Sequence, residues 1–482
     1  MDFAAGLNDS CAHRDVFRED RVLSERLLAA VMPKLTDRIH QVMAQQGVPG
    51  VALAVVRDQE TIWSGGFGYA DVASERPMDA DAICGVASIT KTFTATAIMQ
   101  LRDNDKLSLD DPVTRYLPEV KKVRCRFGTL KDITLRRLMT HRTGMLGEAP
   151  TEVWASMKFP SVAEILAMLP KVEVVIEPDS AFKYNNLAFV LLGEVIARVS
   201  GRSYRDYVRR QILQPLEMNS SGFEVANSRN AAGYMPERYR DVPEISPDPN
   251  TNGYLAAAGL RSCASDLAKW IALQFRTKAD ARRGAQVLSG KSIREMHRIT
   301  YVEPGWLIGF GLTWWASRLG ENIYHQHGGS VPGFLSMVAF SKPYKLGVVV
   351  LTNKQGNTAS GTIAFEALEM LTGEAKKETK APSPRLIPEK LKPLVGRYTG
   401  MPAFGPIFHV EWRDGVLQFA IPQDPFMMPG PPSALVATDK SNIFVLEAGR
   451  WAGEPVTFEF DPDGRVTAFQ LSSHGGTFRK ID

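Results

Sequence analysis

Two stretches of this chain place a serine three residues before a lysine, Ser88-Ile89-Thr90-Lys91 and Ser180-Ala181-Phe182-Lys183. A serine hydroxyl is a poor nucleophile until a neighbour takes its proton, and a lysine amine stripped of water can be that neighbour. The spacing brings the pair together when both share a helix face, where positions i and i+3 lie about 5–6 Å apart at Cβ. The first copy meets that condition. Gly85-Val86-Ala87 leads into Ser88, and Ala95, Ile98, Met99 and Leu101 follow with helical spacing, so Ser88 is expected at a helix start. Backbone N–H groups there are unpaired and suit a developing oxyanion. The second copy lies in a turn around Pro178, and its serine and lysine do not share a helical face. In isolation, Ser88 and Lys91 read instead as an N-cap serine beside an exposed lysine.

Two further groups follow in chain order: Tyr184-Asn185-Asn186, and His327-Gly328-Gly329 just before a strand. Singly, Tyr184 reads as a core aromatic and His327 as a turn residue. Together, Ser-x-x-Lys opening a helix, then Tyr-x-Asn, then His-x-Gly ahead of a final strand resemble one family of serine hydrolases. It includes class C β-lactamases, penicillin-binding D-alanyl-D-alanine carboxypeptidases, D-aminopeptidases and related esterases. KLSLDDPVTRYLP (Lys106–Pro118), ITLRRLMTHRTGM (Ile133–Met145), YNNLAFVLLGEVI (Tyr184–Ile196), QILQPLEMNSSGF (Gln211–Phe223) and AAGLRSCASDLAKW (Ala257–Trp270) are similar to the family in texture. The resemblance covers roughly residues 25 to 372.

The resemblance implies an acyl-enzyme on Ser88, with Lys91 and Tyr184 sharing proton transfer. It implies an oxyanion hole at the backbone N–H groups of Ser88 and Ser330, beside Gly328 and Gly329. Asn186 would hydrogen-bond Lys91 or the substrate amide. One departure matters: His327 stands where many β-lactamases and carboxypeptidases carry the lysine of Lys-Thr-Gly, which helps hold a substrate carboxylate. Histidine is only partly charged near neutrality. The histidine form resembles D-aminopeptidases and esterases, so an ester, amide or D-amino-acid peptide substrate is expected, with weak or no β-lactamase activity. Acyl transfer, as in peptide-cyclising thioesterases of the family, and an inactive binding protein are the alternatives. His141 reads as structural. Trp306, Trp314 and Trp315 read as packing on a sheet edge, with one of them a candidate for the acyl pocket. The polar, proline-rich Ala231–Tyr254 is a candidate lid. No Gly-x-Ser-x-Gly, HExxH or clustered metal ligands occur, so no cofactor and no metal are expected.

These residues need a frame. Leu23–Gln46 has helical periodicity, with Pro33 as a kink, and Val51–Val56 and Thr61–Ala70 read as strands. The middle reads as helices: Ser88–Asp103, Leu135–Thr140, Val162–Leu169, Leu187–Val199 and Tyr204–Leu213. Strands return at Phe334–Phe340 and Lys345–Asn353, followed by a helix over Ser360–Leu371. The expected fold class is α/β (α+β): an antiparallel sheet built from both ends of the region, flanked by helices, with an inserted helical subdomain. Domain bounds are 23–372 for this unit, 373–386 for a linker rich in Lys and Pro, and 387–482 for a small antiparallel β-barrel. Phe408–Ile421 and Phe458–Leu471 read as hairpins with type I′ turns at Asp414-Gly415 and Asp463-Gly464. The family resemblance makes this barrel lipocalin-like.

Composition limits the partners. The 482 residues carry 57 Lys and Arg against 53 Asp and Glu, a net charge of +4 that advertises no nucleic-acid surface. Cys11, Cys84, Cys125 and Cys263 have no metal-ligand spacing and are expected as buried free thiols. The N-terminus lacks the apolar core of a secretory signal and no stretch is long enough to span a membrane, so a cytoplasmic protein is expected. A small-molecule substrate is the expected partner, and the β domain is a candidate for homo-oligomer contacts.

Overall fold

In VALAVV, Val51, Leu53 and Val55 pack on one face of a strand and Ala52, Ala54 and Val56 on the other, all six fully buried. A strand buried on both faces needs cover on both. The computed structural model describes residues 9–224, 228–236, 244–247, 250–276, 287–378, 386–400, 407–413, 415–420, 432–449, 451–471 and 476–481. The chain divides into two units, Met1–Lys376 and Lys377–Asp482.

In the first unit, β1 (Gly50–Arg57) and β2 (Glu60–Asp71) form a hairpin with β3 (Arg76–Pro77) at its edge. From the far end of the unit come β4 (Tyr301–Val302), β5 (Ile308–Phe310), β6 (Trp315–Leu319), β7 (Asn322–Val331), β8 (Phe334–Ser341) and β9 (Leu346–Thr352). The sheet runs β4-β5-β6-β7-β8-β9-β1-β2-β3, antiparallel throughout, and β1 meets β9 with Val51 opposite Thr352.

Five helices carry the packing: α1 (Asp9–Gln46), α2 (Thr90–Asp103), α3 (Asn186–Ser200), α4 (Ala264–Gln274) and α5 (Ala359–Glu378). Leu27, Leu35 and Ile39 of α1 join Ile363 and Leu368 of α5 against the Val51 face. The opposite face meets α2 and α4, whose Phe93 and Trp270 rings stack at 3.9 Å, and α3 lies beyond them in the same core. The expected fold class is borne out: an antiparallel sheet with helices, then a closed eight-stranded barrel from Gly396–Thr399 to Gly476–Lys480. Buried Tyr398, Phe408, Phe419, Phe458 and Phe469 fill the barrel core.

Four local expectations need correction. His327-Gly328-Gly329 lies within β7, not before a strand, because pairing of all three to β8, opposite Val338, Met337 and Ser336, overrides the weak strand preference of glycine. Residues 373–378 are not linker but the end of α5, since Glu374-Ala375-Lys376-Lys377-Glu378 are good helix formers; residues 379–385 lie outside the described residues. At Asp463-Gly464 only the glycine has positive φ, at 77°, so the turn is not type I′. Instead Gly464 N–H donates to Asp461 O and Asp461 N–H to Arg465 O, a longer loop. Of the other turn, Asp414 is outside the described residues. Finally, Cys84 and Cys263 are buried free thiols but Cys125 is half-buried; the Cys11 side chain is not described. Among the described residues no helix is long and apolar enough to cross a membrane.

Candidate active site

Ser88 does not open an α-helix. A 3₁₀ turn, Ala87–Ile89, comes first, and α2 begins at Thr90. Ala87 has φ 49°, a left-handed conformation unfavourable for a residue with a Cβ. Neighbouring segments hold it there. Val86 N–H donates to Leu260 O at 3.1 Å, Thr90 Oγ1 accepts from Leu260 N–H at 3.0 Å, and Ser336 Oγ donates to Val86 O at 3.0 Å.

Lys91, one turn on, is fully buried, and its Nζ has three partners: Ser88 Oγ at 2.9 Å, Asn186 Oδ1 at 2.7 Å and Ala257 O at 2.8 Å. Burial disfavours the ammonium and brings its pKa down to about 7, with the Glu148 charge acting in the other direction. Tyr184 OH donates to Ser88 Oγ at 2.7 Å, and its ring centre is 4.9 Å from Lys91 Nζ. Burial raises the phenol well above its ordinary range, against the lowering effect of the Ser88 bond, so Tyr184 stays protonated.

The Tyr184-Asn185-Asn186 segment is anchored by a helix start. Asn185 caps α3 by accepting from Ala188 N–H at 2.6 Å, and Asn186 begins the helix with its amide turned to Lys91. Behind Tyr184 the His141 ring stacks at 4.6 Å, and His141 Nδ1 accepts from Asn185 N–H at 2.9 Å. Burial, with the charge of Lys91, holds His141 neutral.

Strand β7 forms the facing wall. His327 Nδ1 lies 2.7 Å from Gly328 O; a carbonyl only accepts, so Nδ1 carries the hydrogen and Nε2 the lone pair. Burial and the charge of Lys91 press His327 down to about 3, so it is neutral rather than partly charged at neutral pH. Gly329 lets the strand approach the 3₁₀ turn: a Cβ there would stand 2.2 Å from Val86 O. Ser88, Tyr184, Asn186, His327, Gly328, Gly329 and Ser330 all line one cavity of about 1090 Å³. Trp154, Met157, Trp315, Leu335 and Met337 make much of its remaining wall, and the described lining residues include no Asp, Glu, Lys or Arg.

The structure thus brings the first Ser-x-x-Lys copy, Tyr184, Asn186 and the His327 strand to one cavity, and leaves the second copy elsewhere. Ser180 is exposed in a turn, its Oγ donating to Glu177 O at 2.6 Å. Trp315 lines the cavity whereas Trp314 is buried. Of the candidate lid, Met235 and Pro247 reach the cavity wall; residues 237–243 and 248–249 lie outside the described residues. Sequence reasoning missed Glu148, which accepts from Asn186 Nδ2 at 2.5 Å. A single acid in GMLGEAP carries no spacing signal that could have found it.

Residues 35–369 match the Beta-lactamase family. Protein flp of Staphylococcus aureus (strain N315) is 25% identical over 321 residues, 66% of this chain and 62% of that protein. The chain therefore spans less than two thirds of that relative. The octameric penicillin-binding protein homologue from Pyrococcus abyssi is similar in structure, with TM-score 0.61 and 26% identity over 93% of this chain and 100% of the other. D-amino acid amidase from Ochrobactrum anthropi SV3 aligns with TM-score 0.58 and 25% identity over 72% of this chain and 99% of its own.

Proposed function

This chain belongs to the beta-lactamase family, and from that premise we propose that it is a serine hydrolase working through an acyl-enzyme on Ser88. The observation that carries this reading is Ser88 Oγ held between Lys91 Nζ at 2.9 Å and Tyr184 OH at 2.7 Å on the cavity wall. A neutral amine has two N–H groups and one lone pair. Asn186 Oδ1 and Ala257 O accept the two hydrogens, which leaves the lone pair for the Ser88 hydroxyl.

Lys91 takes the hydroxyl proton as Oγ attacks the substrate carbonyl. The oxyanion that forms is met by the backbone N–H groups of Ser88 and Ser330. Tyr184 passes its proton to the departing oxygen or nitrogen and regains one from the Lys91 ammonium, which restores the amine. Water then attacks the acyl carbonyl, losing its proton to the same pair, and Ser88 leaves as the free hydroxyl.

The cavity wall supports a neutral ester, amide or D-amino-acid peptide rather than a β-lactam. A substrate carboxylate finds no cation among the described lining residues, because His327 is neutral and the Lys91 donors are engaged. The similarity to a D-amino acid amidase points the same way.

Turnover of a neutral chromogenic short-chain ester tests the assignment. Ser88→Ala abolishes it, and Ser180→Ala leaves it unchanged. Normal turnover by Ser88→Ala, or a serine-reactive phosphonate attached to a peptide lacking Ser88, overturns the reading.

A further inference from the structure

Glu148 belongs to no motif and is absent from the cavity wall, but it is tied to both the wall and the base. Its Oε1 accepts from Asn186 Nδ2 at 2.5 Å and from Trp154 Nε1 at 3.0 Å. Trp154 lines the cavity. The other oxygen, Oε2, is also buried, and the Tyr254 hydroxyl faces the carboxylate. A carboxylate only accepts, so the Asn186 contact decides how that amide faces: NH₂ toward Glu148 and oxygen toward Lys91 Nζ at 2.7 Å. Polar contacts therefore run without a break from Trp154 through Glu148, Asn186 and Lys91 to Ser88.

We propose that Glu148 is a positioning residue for the nucleophile's base: it locks the Asn186 amide toward Lys91 and places a negative charge one side chain from the amine. The proposal rests on the acyl-serine reading above. The other titratable groups near Lys91 are His141 and His327, both neutral through burial, and Tyr184, which stays protonated. Tyr254 faces Glu148 and is likewise held protonated by burial and by that charge. Among the described residues, Glu148 is thus the formal charge that acts on the amine, and it acts against burial.

The sign follows. With the carboxylate present, Lys91 keeps its proton to higher pH; without it, the free amine forms at lower pH. Glu148→Gln retains the accepting oxygen for Asn186 and Trp154, removes the charge, and puts an NH₂ where Oε2 stood. Loss of one nearby charge moves the acid limb of reactivity by about 1 pH unit. One unit below the wild-type limb, reactivity relative to plateau then rises on the order of fivefold.

The measurement is the rate at which a neutral alkyl fluorophosphonate labels Ser88 of the full chain, followed by intact mass and peptide mapping from about pH 5 to 9. The expected result is an acid limb in the wild type that moves to lower pH in Glu148→Gln and stays close to wild type in Glu148→Asp. A folded Glu148→Gln whose limb does not move, even with a lowered plateau, overturns the proposal, since a purely structural role changes the plateau alone. Should Glu148→Gln fail to fold, Glu148→Ser removes the same charge and admits a water beside Asn186, with the same two readings. Wild-type label elsewhere than Ser88, or no acid limb at all, instead refutes the acyl-serine reading with its lysine base and takes this proposal with it.

Discussion

Gly328 and Gly329 are neighbours on β7 with opposite tolerance for a side chain. A Cβ on Gly329 would lie 2.2 Å from Val86 O, 2.5 Å from Ser336 Oγ and 3.1 Å from the Ala87 Cβ. A Cβ on Gly328 meets nothing closer than Met337 Cε at 3.2 Å, the free end of a flexible side chain. Carbon and oxygen do not approach much below about 3 Å, so Gly329→Ala forces the strand and the Ala87 turn apart by on the order of 1 Å. That gap separates Ser88 from Ser330, the two proposed oxyanion donors. A misplacement of about 1 Å costs roughly 10²-fold in rate, and loss of one oxyanion donor about 10²–10³-fold. We therefore expect kcat/KM for a neutral p-nitrophenyl ester to fall about 10²–10³-fold in Gly329→Ala, with about 1–3 kcal/mol of stability lost to overpacking. Gly328→Ala should stay within about fivefold of wild type, because Met337 can rotate away. Assays run well below the midpoint of thermal unfolding separate misplacement from unfolding. Gly329→Ala within fivefold of wild type, or Gly328→Ala falling as far, refutes the reasoning.

Other outcomes follow from the same geometry. In the proposed reaction the base acts as the neutral amine, and burial brings Lys91 down to about 7, so kcat/KM should rise with pH through that region. His327, held at about 3, adds no limb near neutrality, and a flat profile from about pH 5 to 9 contradicts this. Across a panel of acyl donors, neutral esters and amides should exceed matched carboxylate-bearing substrates, cephalosporins included, by at least about tenfold in kcat/KM. Equal rates for the charged members would show that a cation reaches the cavity.

Much of the frame was legible because its signals are local. The short apolar run Val51–Val56 reads as a strand, and the Ser88, Tyr184 and His327 segments stand in an order that carries the family resemblance. What escaped depends on tertiary neighbours. The 3₁₀ turn at Ala87–Ile89 exists because Leu260, Ser336 and Gly329 press on it, and nothing in GVASITK announces them. The neutrality of His327 comes from burial beside Lys91, which no spacing rule reports. Glu148 is invisible for a similar reason: its partners Asn186 and Trp154 come from α3 and from a short helical turn, Val153–Ser156. The turn at Asp463-Gly464 failed differently, since an Asp-Gly pair serves several loop types and only the flanking hydrogen bonds choose among them.

The pairing of β1 with β9 has a consequence for the nascent chain. Residues 50–57 leave the ribosome long before residues 346–352, and at roughly 5–20 residues per second the wait is about 15–60 s. Through that interval a continuous apolar strand has one edge without its partner, open to wrong pairing or to a holding chaperone. Ser88, Lys91, Tyr184 and Asn186 are all synthesised within the same interval, ahead of the β7 strand they face. The proposed acyl-serine site therefore lacks its His327 wall until β7 emerges, so the side chains of that reading are made well before the strand that completes them.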